Sequence, residues 1–163
     1  MTQIDNLNLF IGVKEEYALA ESRKMKIVCA LNRSSGFITH QSVVGWCGRG
    51  CNKDNPYYLY KETENAIFLN MIDGDNPDYV NDEMINASLN FINRHIESSS
   101  IFIYCSLGES RSPSIALMYM LEYGLISKEN AIKNFRSNFY SQYAPKRGNL
   151  EYIKRRWLYH EKF

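Results

Sequence analysis

Several features that often reveal a protein's setting are scarce in this 163-residue sequence. Four cysteines are too few for a disulfide-dense scaffold in a chain of this length. The longest uninterrupted apolar run, residues 115–121, is far shorter than the roughly 20 residues that span a bilayer. The first residues contain neither a basic segment nor a long apolar segment, so we expect no signal peptide. These absences predict a cytoplasmic protein with no membrane partner.

The chain also lacks a strong excess of charge of either sign. Nineteen Lys and Arg residues against 18 Asp and Glu residues leave a formal net charge of +1, so no general attraction to nucleic acid is expected. Hydrophobic residues make up 45% of the chain and charged residues 23%, which is typical of a globular protein. The length suits one domain with its own core. We therefore expect a single domain over residues 1–163, acting as a monomer.

Apolar runs alternate with amphipathic segments along the chain. The runs that are typical of buried strands are residues 7–12, 26–31, 66–71 and 101–104, with 57–60 as a further candidate. The segments predicted as helices are residues 14–23, 78–96, 113–123, 127–139 and 149–159. This order predicts an α/β domain with a mostly parallel central sheet of four to five strands and helices on both faces. In such sheets a ligand binds at the carboxyl ends of the strands.

Residues 32–56 break the alternation. Four glycines and Pro56 mark a long loop, and loops of this length are usually either functional or flexible. Cys47 and Cys51 form a Cys-x3-Cys pair inside it, but the chain has no second pair and His40 is the only histidine nearby. We therefore expect no zinc site and interpret the segment as an insert of the single domain.

The clearest chemical signal follows the apolar run at residues 101–104. Cys105 and Arg111 are separated by five residues, which can curl so that successive backbone N–H groups point into one concavity. Gly108 permits the tight curl, and the helix that follows adds its positive N-terminal end. This pattern predicts a phosphate-binding loop between the last strand and the following helix. The residues expected to bind phosphate are Ser106, Leu107, Gly108, Glu109, Ser110 and Arg111.

The side chains at the two ends of this loop have predicted parts in phosphoryl transfer. Cys105 lies at the mouth of an electropositive nest and is predicted to act as a thiolate nucleophile. Arg111 carries a planar guanidinium that can hold two phosphoryl oxygens. Ser112 can donate a hydrogen bond to the sulfur and so make it a better leaving group. Together they supply most of what phosphoryl transfer requires.

A proton donor is expected in the acidic turn at residues 73–78, directly after a predicted strand. Its loop should open at the same end of the sheet as the phosphate-binding loop. Asp73 is the first choice for the general acid because it comes first after the strand, and Asp75 is the alternative. Asp78 is interpreted as the N-cap of the helix that follows.

These segments resemble the cysteine-dependent protein tyrosine phosphatases, and the small size resembles their compact dual-specificity branch. Residues 105–112, after an apolar strand and before Pro-Ser-Ile-Ala-Leu, are similar to the family's signature loop. Asp73 stands 32 positions before Cys105, where the family keeps its general acid. The resemblance runs from about residue 7 to residue 125. It implies hydrolysis of phosphomonoesters on proteins through a cysteinyl-phosphate intermediate, with no metal or other cofactor.

Two departures from the family pattern keep other functions open. The family usually has a histidine before the nucleophile, where this chain has Tyr104, and residues 32–56 match no assigned pattern. Tyr104 supports one alternative, a phosphate-binding module with little or no catalysis. Another alternative is sulfur transfer through a persulfide on Cys105, which uses a similar thiolate cradle. The neutral or acidic loop residues favour phosphotyrosine in a protein or peptide, with phosphoserine or phosphothreonine as further substrates, over highly charged inositol phosphates.

Overall fold

The computed structural model describes residues 1–159 and is built around one six-stranded sheet. The strands are β1 (Thr2–Gln3), β2 (Leu9–Val13), β3 (Lys26–Cys29), β4 (Tyr60–Glu62), β5 (Ala66–Leu69) and β6 (Ile101–Cys105). Their order across the sheet is β1-β2-β6-β3-β5-β4. The strand that leads to the predicted phosphate-binding loop is therefore flanked on both sides.

The four inner strands run parallel, and the two short edge strands run antiparallel to their neighbours. In register, Ile103 of β6 lies between Ile11 of β2 and Val28 of β3. The expected mostly parallel sheet is confirmed, but it has six strands where four to five were expected. The difference comes from the edges: the two-residue β1 has no pattern of its own, and β4 begins only at Tyr60.

Helices cover both faces of the sheet, as expected. They are α1 (Tyr17–Ser22), α2 (His40–Val44), α3 (Asp82–His95), α4 (Arg111–Glu122), α5 (Ala131–Asn138) and α6 (Arg147–Ile153). Short 3-10 turns at Lys14–Glu16 and Pro77–Tyr79 and a π-helical turn at Lys154–Leu158 complete the list.

Alternate residues of β6 point into two different cores. Ile101, Ile103 and Cys105 belong to the larger core, which α3, α4, α5 and α6 cover. Phe102 and Tyr104 belong to the smaller core on the other face, next to α1 and α2. All five side chains are buried, which explains why this strand reads as a continuous apolar run. Its end therefore holds Cys105 and Tyr104 on opposite faces of the sheet.

The predicted N-cap of α3 was wrong. Asn81, not Asp78, caps this helix, because its side chain accepts a hydrogen bond from the Met84 N–H at 3.1 Å. Asp78 lies inside the separate 3-10 turn Pro77–Tyr79, and Val80 then returns to an extended conformation with φ −90° and ψ 109°. The acidic turn thus ends in a short turn of its own before α3 begins.

Two further helix starts differ from the sequence expectation. The helix expected from residue 127 begins at Ala131, after Asn130 in a left-handed conformation with φ 53°. The side chain of Ser127 instead accepts the N–H of Glu129 in a local turn at 3.3 Å. The last helix begins at residue 147 rather than 149. By contrast, the predicted end of α4 is confirmed, since Gly124 follows it with φ 67°.

The segment 32–56 contains α2 and is organised around His40, which is fully buried. The Nε2 atom of His40 donates to the Tyr57 carbonyl oxygen at 2.7 Å, and its Nδ1 atom accepts from Trp46 Nε1 at 2.9 Å. Both ring nitrogens are therefore used by the neutral form of the imidazole. Burial lowers the pKa of His40, which agrees with that form.

No helix within residues 1–159 is long and apolar enough to cross a bilayer. Within the same residues, no group of three or more His, Cys, Asp and Glu side chains is arranged to hold a metal ion.

Candidate active site

The predicted phosphate-binding loop connects the carboxyl end of β6 to the N-terminus of α4. Cys105, the last residue of β6, is only 3% exposed. Its Sγ atom lies 3.1 Å from Ser112 Oγ and accepts the Ser112 backbone N–H at 3.4 Å. The structure thus brings the predicted nucleophile and the predicted sulfur donor into direct contact.

The backbone N–H groups of residues 106–110 donate to no protein atom among residues 1–159. Gly108 and Ser110 within this run are buried, and a buried N–H group without a partner is rare in proteins. Gly108 adopts φ 72°, and a Cβ atom there would lie 3.2 Å from Tyr140 Oη and 3.3 Å from the Gly12 carbonyl oxygen. The positive φ favours glycine at this position, and the surrounding atoms leave little space for a Cβ atom. Consecutive unpaired donors are what an anion-binding nest offers.

Arg111 begins α4 with its side chain turned into the protein, where 9% of the residue is exposed. One guanidinium nitrogen, Nη1, donates to Asn32 Oδ1 and to the Met71 carbonyl oxygen, both at 3.1 Å. The Nε atom is buried and has no protein partner in the described chain. Two contacts therefore fix the guanidinium, and one buried donor stays available for an anion.

The acidic turn lies against the phosphate-binding loop through Asp73. Its Oδ1 atom accepts hydrogen bonds from Ser110 Oγ at 2.7 Å and from Asn149 Nδ2 at 3.0 Å. Asp75 is exposed, and the exposed Asp78 lies 3.7 Å from Arg155 Nη1 at the surface. Of the three aspartates, the structure brings Asp73 to the loop.

Tyr104, which stands where the resembled family usually has a histidine, lies on the other face of the sheet from the sulfur. Its hydroxyl donates to the Ile38 carbonyl oxygen at 2.7 Å, and its ring stacks on Phe102 and meets Tyr17 edge-on. Burial raises the pKa of Tyr104, so the phenol stays neutral. This residue therefore supplies no positive charge near Cys105.

The rim of the loop combines one cation with apolar surface. Lys14 Nζ lies 3.3 Å from Ser106 Oγ and 5.0 Å from the centre of the Phe37 ring. Leu107 is 68% exposed and Ile72, next to Asp73, is 46% exposed.

Sequence reasoning missed the residues that hold this site together from distant segments. They are Lys14, Asn32, Tyr140 and Asn149, together with the carbonyl group of Met71. None of them belongs to a local motif, because each is brought to the site by long-range packing. A single asparagine in a chain rich in asparagine gives no signal that it will contact the predicted phosphate-binding loop.

No protein-family model matches the sequence, and no curated protein matches it either. Solved structures do match. Human DUSP28 superposes with a TM-score of 0.63 at 11% identity, covering 99% of this chain and 95% of that chain. The human tyrosine phosphatase-like serine/threonine/tyrosine-interacting protein gives 0.62 at 16% identity, covering 95% and 93%. The phosphatase domain of Yvh1 from Chaetomium thermophilum gives 0.58 at 13% identity, covering 99% and 97%.

These matches cover nearly the whole chain on both sides, so the fold is that of the compact dual-specificity phosphatases. At 11–16% identity they show the fold alone. What the chain does at this site has to be argued from its own residues.

Proposed function

We propose that the chain is a phosphoric monoester hydrolase that removes phosphate from phosphotyrosine, and also from phosphoserine and phosphothreonine, in proteins. The observation that carries this proposal is a run of hydrogen-bond donors between Cys105 and α4 that have no protein acceptor within residues 1–159. Cys105 Sγ lies at the start of five backbone N–H groups without protein acceptors, and the buried Arg111 has its Nε donor unpaired. A tetrahedral dianion would satisfy these donors together.

In the first step the phosphate binds in the loop with Arg111 orienting two of its oxygens. The Cys105 thiolate attacks phosphorus in line with the ester oxygen, so that the S–P bond forms as the P–O bond breaks. Asp73 gives its proton to the departing oxygen, which leaves as an alcohol or a phenol. The product of this step is a cysteinyl phosphate.

In the second step Asp73, now a carboxylate, takes a proton from a water molecule that attacks phosphorus. The S–P bond breaks, its electron pair returns to sulfur, and inorganic phosphate is released. Ser112, 3.1 Å from the sulfur, stabilises the thiolate as it departs. Because the chain's own side chains supply nucleophile, acid and charge stabilisation, the proposed reaction requires no metal and no other cofactor.

The rim supports a peptide substrate with an aromatic phosphoester as the preferred one. Exposed Leu107 and Ile72 and the half-buried Phe37 offer apolar contacts to a tyrosine ring. Within residues 1–159, Lys14 is the cationic side chain from outside the loop that hydrogen-bonds to it, whereas polyphosphorylated ligands are bound by several cations. The proposal therefore describes one catalytic domain over residues 1–163, with 32–56 as an insert, that acts as a monomer in the cytoplasm on phosphorylated proteins.

A second candidate is a module that binds phosphate without turning it over. Tyr104 favours it, because a neutral phenol on the far face of the sheet gives the sulfur no cationic neighbour. The contacts of Asp73 and Ser112 argue against it, since both serve steps that follow binding. Sulfur transfer has no observation in its favour beyond the thiol itself.

The test is hydrolysis of 4-nitrophenyl phosphate with a metal chelator present. We expect turnover that vanadate blocks, and a Cys105→Ser variant that loses turnover and still binds vanadate. Cys47→Ser, at an exposed cysteine of the 32–56 segment, is the matched control and should keep full activity. Binding without turnover by the parent protein would favour the non-catalytic module. Rates on phosphotyrosine and phosphothreonine peptides then give the substrate preference.

A further inference from the structure

One stretch of chain near the C-terminus contacts three successive residues of the phosphate-binding loop. We name residues 140–149 the C-terminal bridge. Its Tyr140 hydroxyl donates to the Gly108 carbonyl oxygen at 2.7 Å, and its Ala144 N–H donates to the Glu109 carbonyl oxygen at 2.8 Å. Further along, the backbone N–H of residue 146 donates to the side-chain oxygen of residue 110 at 2.9 Å. The C-terminal bridge therefore holds residues 108–110 of the loop in place.

The same bridge also holds the acidic turn. The Gly148 N–H donates to the Gly74 carbonyl oxygen at 3.0 Å, and Asn149 Nδ2 donates to Asp73 Oδ1 at 3.0 Å. A Cβ atom on Gly148 would lie 2.5 Å from the Gly74 oxygen, so a larger residue could not approach this closely. Two loops that are separate in the sequence are therefore joined through one short segment, residues 140–149, which ends in the first turn of α6.

Each hydrogen bond between Asp73, Ser110 and Asn149 has only one possible direction. Ser110 Oγ accepts the Lys146 N–H at 2.9 Å and Asn149 Nδ2 at 3.0 Å, which uses both of its lone pairs. Its own proton must then go to Asp73 Oδ1, 2.7 Å away. The two protons of the Asn149 amide go to Ser110 and to Asp73. Asp73 Oδ1 therefore receives two donors and has no place for a proton of its own.

The carbonyl end of the Asn149 side chain lowers the stability of the protein in this arrangement. Asn149 is 1% exposed, and its Oδ1 atom is buried with no hydrogen-bond partner in the described chain. An unpaired buried amide oxygen lowers stability, so stability alone does not account for the residue. Turning the amide over would place its oxygen against the oxygens of Asp73 and Ser110. The Asn149 amide is thus held in the orientation in which its two N–H groups can donate to Asp73 and Ser110.

We propose that Asn149 is a positioning residue for the general acid: its amide, with the Ser110 hydroxyl, fixes Asp73 Oδ1 as an acceptor and so places the transferable proton on Oδ2. This inference rests on the proposed phosphatase function. Without the amide, Ser110 has a vacant acceptor site, and the two oxygens of Asp73 are no longer distinguished. The carboxyl group can then rotate away from the orientation that protonates the leaving oxygen.

The experiment compares two aryl phosphates whose leaving groups differ in how much they need protonation by a general acid. Phenol, with a pKa of about 10, needs protonation as it leaves, whereas the much more acidic 2,4-dinitrophenol does not. For Asn149→Ala we expect kcat/KM for phenyl phosphate to fall about 10²-fold, toward the loss that removal of a general acid causes. The rate on 2,4-dinitrophenyl phosphate should stay near that of the parent.

Three further variants make this pattern specific. Asp73→Asn should show the same dependence on the leaving group, and adding Asn149→Ala to it should cost nothing further, because both changes remove one function. Asn90→Ala, the same substitution at an exposed position of α3, should leave both rates unchanged. An equal loss on both esters for Asn149→Ala, or no loss on either, would overturn the positioning role.

A crystal structure of Asn149→Ala separates this inference from the proposed function. We expect the Asp73 carboxyl group to leave its present position beside Ser110. If it keeps that position, the inference is wrong, whatever the activity of the protein. If the parent hydrolyses neither ester, the proposed function fails and the position of Asp73 still decides the role of Asn149. Should Asn149→Ala not fold, Asn149→Ser, whose short side chain cannot reach both acceptors, is tested with the same readouts.

Discussion

Cys105 Sγ makes two hydrogen-bond contacts with Ser112: it lies 3.1 Å from the hydroxyl oxygen and 3.4 Å from the backbone nitrogen. The first residue of the loop therefore contacts the first turn of the helix that follows it. In a cysteinyl phosphate the sulfur is neutral, and it becomes an anion only as the S–P bond breaks. In the proposed reaction, donors at this position would stabilise the charge that develops during that second step.

Ser112→Ala should therefore slow breakdown of the intermediate more than its formation. A hydrogen bond to a charged group contributes about 1.5–3 kcal/mol, which corresponds to a fall in kcat of about 10- to 100-fold. The ratio kcat/KM should change much less, and rapid mixing with 4-nitrophenyl phosphate should show a burst of nitrophenol. Equal losses in kcat and kcat/KM would contradict this role.

Arg111→Lys should weaken both binding and turnover although the charge is kept. Lysine cannot hold two phosphoryl oxygens in a planar fork, and it loses the paired contacts of the guanidinium to Asn32 and Met71. Loss of one charge-assisted hydrogen bond predicts a fall in kcat/KM of about 10- to 100-fold. The rise in melting temperature that vanadate gives the parent should shrink as well. An unchanged response to vanadate would show that Arg111 does not bind the anion.

Tyr104→Phe should affect stability and leave activity nearly intact. The hydroxyl makes one buried hydrogen bond to the Ile38 carbonyl oxygen and lies on the opposite face of the sheet from the sulfur. Its removal leaves that carbonyl without this donor, so we expect the free energy of unfolding to fall by about 1–3 kcal/mol in urea titrations. A large loss of kcat at unchanged stability would instead show that Tyr104 takes part in the reaction.

The segment 32–56 should lose stability as the pH falls below neutrality. His40 uses both ring nitrogens in its neutral form, and burial lowers its pKa in the folded protein below the usual 6.5. Because the unfolded chain then binds the proton more readily, stability is full above about pH 6.5 and declines as the pH falls from there toward the folded-state pKa.

The measurement is urea unfolding between pH 5 and 8, with Trp46 fluorescence read in a Trp157→Phe background. His40→Gln should have a smaller slope of stability against pH than its parent. Burial also lowers the pKa of His95, but His95 is present in both proteins. Its contribution to the slope therefore cancels when the two slopes are compared. Identical slopes in the two proteins would show that His40 does not carry this pH dependence.

The strand, loop and helix around the candidate site could be predicted because the information there is local. A buried strand reads as a continuous apolar run, the spacing from Cys105 to Arg111 is read directly, and Gly124 marks the end of α4. The start of α3 could not be fixed in this way. Asp78 and Asn81 are both good N-caps, and the choice depends on the 3-10 turn at Pro77–Tyr79.

The contacts that orient the site could not be predicted for a different reason. Asn149 reaches Asp73 from 76 residues away, and Asn32 reaches Arg111 from 79 residues away. Such pairs depend on how the helices pack on the sheet, and neither asparagine stands in a periodic or spaced pattern. The sequence indicated which groups could do the chemistry, whereas the fold shows which groups hold them in position.

The central claim is that Cys105 carries the phosphoryl group during turnover, and trapping that intermediate tests it most directly. The protein is mixed with a phosphotyrosine peptide, quenched within milliseconds and digested, and the phosphorylated peptide is identified by mass spectrometry. The account predicts phosphate on Cys105, in larger amount for Ser112→Ala and absent from Cys105→Ser. Turnover by Cys105→Ser, or turnover by the parent with the phosphate on another residue, would contradict it.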